Sequence, residues 1–130
     1  MSLPRVTYSN IGVDFSPVHD HLDRLIPDFE RDVLGKEWKT AFATNQPQRF
    51  ASPIDPTLAL GLFPSTSASD IDAAVQAAKN GAAIWNNSTV AERLDFAARW
   101  YKVLEEDKYQ LGLAALYEVG KSRLEAIGEA

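Results

Sequence analysis

Cysteine is missing from this 130-residue chain, and histidine occurs only at positions 19 and 21. The first absence removes disulfides, thiolate metal sites and a thiol nucleophile together. Basic residues are also few: thirteen Lys and Arg stand against eighteen Asp and Glu, a net charge of −5. With no basic cluster either, a nucleic-acid surface is not expected. No apolar run approaches the length of a membrane span. The opening "MSLPRVTYSNIG" lacks the charged and apolar regions of a signal peptide and is too poor in Arg for a transit peptide. The expected setting is cytoplasmic, with no nucleic acid or membrane as partner. What is present is ordinary for one globular domain, with 45% apolar residues and 24% charged.

The opening stretch "VTYSNIGVDF" is too short and mixed to assign. Ser16-Pro17 reads as an N-cap followed by proline at the first helical position, and the helix should run towards Gly35 with Pro27 kinking or dividing it. In "WKTAFAT" Trp38, Thr40, Phe42 and Thr44 alternate with Lys39, Ala41 and Ala43, which predicts a strand. After a turn at "NQPQ" and a proline-punctuated edge in "RFASPIDP", "TLALGLF" reads as a second strand. An antiparallel hairpin over 38–64 follows.

The second half is helical. Ser67 and Asp70 form a capping box before Ile71, Ala74, Val75, Ala78, Ala82 and Trp85, which share one helical face. Thr89 and Glu92 repeat the device before Leu94, Ala97, Ala98, Tyr101 and Leu104, with a break expected near Asp107. Helix then resumes to Val119, and a last one starts at Ser122, unfinished at Ala130.

Four groups of residues invite a chemical reading. "GKS" at 120–122 is the tail of a phosphate-binding loop, but that loop needs a glycine where Ala115 stands, and it must follow a buried strand. A helix joint fits better: Gly120 closes one helix in the left-handed conformation, and Ser122 with Glu125 caps the next. "HDHLD" offers His19, Asp20, His21 and Asp23, but only His19 and Asp23 share a helical face and no third ligand is found. Glu105, Glu106 and Asp107 fan around a helix axis and read as a solvated face. Trp38, Trp85, Trp100 and Tyr101 lie beside Ala and Leu and read as core. No serine, histidine and aspartate form a nucleophile motif. From its residues alone, the chain has no active site.

A resemblance supplies more. The run "SDIDAAVQAAKNGAAIWNNSTVAERLDFAARWYKVLEEDKYQLGLAALYEVGKSRLEAIGEA" resembles the early part of the aldehyde dehydrogenase superfamily. "SPIDPTLALGLFPS" is similar to the hairpin before that family's first helix, and a weaker match reaches back to Thr7. Within the superfamily, the long arm before Trp38 and the "EVGKSRLEA" joint resemble the glutamate-semialdehyde (1-pyrroline-5-carboxylate) dehydrogenases of proline degradation. Gly112 departs from the usual helix-favouring residue, and the stretch between Trp38 and Phe50 is short for that subgroup.

The resemblance implies an α/β parent fold, of which this segment is mainly α-helical with an N-terminal β-hairpin. It divides the chain into an arm 1–37, a hairpin 38–64 and helices 67–130, all belonging to a cofactor-binding domain. It implies a cofactor, NAD or NADP, an aldehyde substrate and a homo-oligomeric parent enzyme. The family attacks the aldehyde with a cysteine thiolate, transfers hydride to NAD(P)+ and hydrolyses the thioester. Its cysteine, asparagine, glutamate and cofactor turn all belong downstream of the matched region. The expectation is an inactive N-terminal fragment whose first partner is the remainder of its own chain. The competing reading is a stand-alone helical protein-interaction module. One site residue is implied. Relatives carry an acid at the position of Glu118 that lines a monovalent-cation site, whereas Lys121 or Arg123 is the simpler partner for a carboxylate at a negative helix end.

Overall fold

Val18, Leu22, Leu25, Ile26 and Phe29 recur at helical spacing. In the computed structural model they form the inner face of α1, Ser16–Asp32. The structure describes residues 3–7, 9–10 and 12–130; Tyr8 and Ile11 of the unassigned opening stretch, and Met1 and Ser2 before it, lie outside these. Helix α1 starts one residue earlier than expected. Phe15 is the N-cap, and Ser16 is already helical, its backbone N–H donating to Asp14 Oδ1 at 2.9 Å. Pro27 does not divide the helix. Leu22 and Phe29 are buried on either side of it, and that packing outweighs the hydrogen bond the proline removes.

The hairpin is present, but its first strand is not "WKTAFAT". The strands are β1, Pro47–Ala51, and β2, Ala59–Pro64, antiparallel with Phe50 opposite Gly61. Residues 36–38 instead run beside β2: Trp38 N–H donates to Leu62 O, and Leu62 N–H to Lys36 O. A tight bridge between Thr40 and Ala43 then reverses the chain, and the Asp70 carboxylate accepts from Thr44 N–H and Oγ1. Alternation along 38–44 was real, but beyond Trp38 its backbone groups found a turn and a carboxylate rather than a strand partner.

Helices α2, Ala68–Asn86, α3, Val90–Val119, and α4, Arg123–Glu129, begin at the three expected capping boxes. Helix α3 runs through Asp107 without a break. Lys102–Glu106 and Lys108–Glu105 pairs bridge successive turns there and lend the helix modest local support.

The core is small and lies at one end of α3. Phe15, Val18, Leu22 and Phe29 meet Leu113 and Tyr117, with Leu58 and Leu60 of the hairpin and Leu124 and Ile127 of α4 packed around them. Gly112 has its explanation here. A Cβ on it would meet Ile127 Cδ1, so the missing side chain leaves room for the Ile127 side chain where α4 packs on α3. Ser52, buried in the hairpin, donates from Oγ to Tyr117 O at 2.6 Å and ties the two layers together.

The expected joint at Gly120 is observed. Its φ of 72° is left-handed, and its N–H donates to Leu116 O. Gly120→Ala should destabilise the chain by about 1–2 kcal/mol, since the new Cβ also meets Ile54 Cγ2 at 3.0 Å. Gly81→Ala, in the middle of α2 with open space around it, should be neutral or stabilising. Urea midpoints of the two variants check the pair; equal shifts would refute the assigned backbone.

Candidate functional site

Helix α2 and the first half of α3 lie away from this core. Among the described residues, α2 makes only glancing contact with other elements. Its ends are held: Asp70 by Thr44 at one end, and at the other Trp85 edge-to-face with Phe96 and beneath the Arg93 guanidinium. The stripe between is in water, as are Leu94, Phe96, Trp100, Tyr101 and Val103 of α3. The expectation that Trp38, Trp85, Trp100 and Tyr101 are core is therefore corrected; each is 44% exposed or more. Their spacing was that of a packed face, but no layer of the described chain covers it.

One concave feature lies between α1, the end of α3 and the hairpin. An open cavity of about 370 Å³ is lined there by aromatic and aliphatic side chains and by Glu118. On one wall Trp38 stacks on Phe63 with rings 3° from parallel, and Phe50 meets Phe63 edge-on. On the other, Phe29 stacks on Tyr117 at 5.7 Å. The Tyr117 hydroxyl donates to Glu30 Oε1 at 2.6 Å, and burial, then this bond, pushes its pKa up to about 12. Sequence reasoning missed this wall. The nearest signal was Phe50 and Phe63, aromatic and on opposed strands.

Neither simple partner serves Glu118. Lys121 pairs with Glu129, because α4 turns back and presents its own acid, and Arg123 pairs with Asp23 of α1 at 2.7 Å. Among the described residues, the Glu118 carboxylate has no ion pair. The "HDHLD" side chains are dispersed: Asp23 is held by Arg123, and the His21 ring lies edge-to-face on Tyr109. No group of three His, Asp or Glu able to hold a metal is found among the described residues. Glu105 takes Lys108 and the Tyr101 hydroxyl, and its carboxyl is held below the usual range chiefly by the Lys108 bond.

The helix starts also bear on cofactor binding. A dinucleotide pyrophosphate is cradled by free N–H groups at a helix N-terminus. Here the boxes of α2, α3 and α4 take the N-cap and third-residue N–H groups, with Asp70, Glu92 and Glu125 reaching back. Helix α1 opens with Asp14 on Ser16 N–H and proline in its first turn.

The three box acids set a pH response. Hydrogen bonds from Ser67, Thr89 and Ser122 hold the Asp70, Glu92 and Glu125 carboxyls below their ordinary values. A folded value below the unfolded one means the stabilisation is complete above the unfolded pKa, about 4. It is lost as pH falls through the folded values. Helical circular dichroism should therefore hold from pH 7 to about 5 and fall below about pH 4. An unchanged signal down to pH 2 would contradict the boxes.

The sequence model of the aldehyde dehydrogenase family matches residues 42–130, from the turn before the hairpin through α4. The chain belongs to the aldehyde dehydrogenase family. No curated protein and no solved structure matches it. Among the described residues no helix is long and apolar enough to cross a membrane.

Proposed function

We propose that this chain is the scaffold portion of an NAD(P)-dependent aldehyde dehydrogenase, a cytoplasmic homo-oligomer that oxidises glutamate semialdehyde to glutamate in proline degradation. The observation that carries the scaffold role is the uncovered apolar surface of α2 and α3 in a chain of this family. Such a surface fits helices that flank a cofactor-binding sheet supplied by the rest of the enzyme. The absence of cysteine, the family's nucleophile, supports the same reading. The arm before Trp38 and the "EVGKSRLEA" joint support the glutamate-semialdehyde subgroup. In this reading Glu118 contributes one oxygen to a monovalent-cation site, the other ligands coming from backbone carbonyls.

The test has two arms. The purified 130-residue chain should turn over no aldehyde with NAD+ or NADP+; turnover free of contaminating enzyme would sink the scaffold reading. An enzyme that contains this chain together with a cysteine-bearing catalytic region should oxidise glutamate semialdehyde with a higher kcat/KM than acetaldehyde. A preference for acetaldehyde would sink the substrate assignment and leave the family untouched.

A further inference from the structure

We propose that the cavity between α1, the end of α3 and the hairpin is a binding site for a small organic monocation, an apolar or aromatic body carrying one ammonium group. Three observations converge on that chemistry. The walls are aromatic: Trp38, Phe50 and Phe63 on the hairpin side, Phe29 and Tyr117 on the helix side. Aromatic faces carry negative potential and attract cations, ammonium groups included. The one acid lining the cavity is Glu118, and the two basic residues nearest it in sequence are committed to Glu129 and Asp23. Glu118 also sits in the last turn of α3, where the aligned peptide dipoles give the helix its negative end.

These features select against the alternatives. An anion would meet a carboxylate and a negative helix end. A neutral apolar body would gain the walls but nothing from the carboxylate. The cavity, at about 370 Å³, is within the size range of small-molecule sites. Tyr117 holds the wall in place rather than the ligand, since its hydroxyl is spent on Glu30.

The test is calorimetric titration of the full chain with 2-phenylethylammonium, 2-phenylethanol and 3-phenylpropanoate at one ionic strength. The ammonium should bind about tenfold more tightly than the alcohol, with the carboxylate weakest. Glu118→Gln should erase the preference for the ammonium without changing helical circular dichroism, because Glu118 is exposed. Trp38→Ala should weaken the ammonium several-fold. No saturable binding, equal affinity for all three probes, or an ammonium preference that survives in Glu118→Gln would overturn the site. The readout is binding alone, so it stands or falls separately from the enzyme's turnover.

Discussion

Leu113→Ala should cost the chain about 3 kcal/mol, while the same change at Leu94, on the same helix, should cost almost nothing. Leu113 is 1% exposed and stands where α1, α3 and α4 converge, touching the Val18, Leu22 and Phe29 row. Removing its isobutyl group leaves a cavity among the α1 and α4 side chains packed there. Leu94 is 66% exposed and has almost no packing to lose. In a chain with so few buried apolar side chains, a loss of this size is a large part of the total stability. Urea unfolding of the two variants gives the comparison. A shift at Leu113 no larger than that at Leu94 would mean that the core has been misplaced.

The isolated chain should self-associate, and Leu94→Glu with Trp100→Glu should return it to monomer. Phe96, Trp100 and Tyr101 are each half exposed or more. Together they place on the order of 300 Å² of side-chain surface in water. Leu94 and Val103 on α3, and Val75 and Ile84 on opposite sides of α2, are exposed as well. Exposed apolar side chains of this number and size favour association. Phe96, Trp100 and Val103 also lie off the Leu94–Ala98–Tyr101 stripe, so α3 offers apolar surface on more than one side. Sedimentation velocity across a concentration series should show the wild-type chain associating and the double variant monomeric, with helicity kept. A wild-type monomer that unfolds in one cooperative step would refute the dependence on further chain and favour the stand-alone interaction module.

What could be read from residues in order was what residues in order bring about. Each capping box joins side chains three positions apart, so Ser67 with Asp70, Thr89 with Glu92 and Ser122 with Glu125 prescribe their helix starts whatever the chain does elsewhere. The left-handed stop at Gly120 is equally local, as is the proline-bounded second strand. Family membership was legible in the order of these same features. The opposite case is "WKTAFAT". Its alternation is also local, but a strand needs a partner. Tertiary structure gave Trp38 to Leu62, Thr40 to Ala43 and Thr44 to Asp70. Distance along the chain is the physical difference. Ser52 reaches Tyr117 across 65 positions and Tyr117 reaches Glu30 across 87, so no pattern of neighbours foretells either bond. Gly112 looked like a lapse in helix propensity until Ile127 arrived against it. The aromatic stripes show the same boundary from the other side: periodicity fixed which face of α2 and α3 is apolar. Only the packing of the other elements decided that Leu113 is buried and Trp100 is in water, because burial requires a second surface and periodicity describes one.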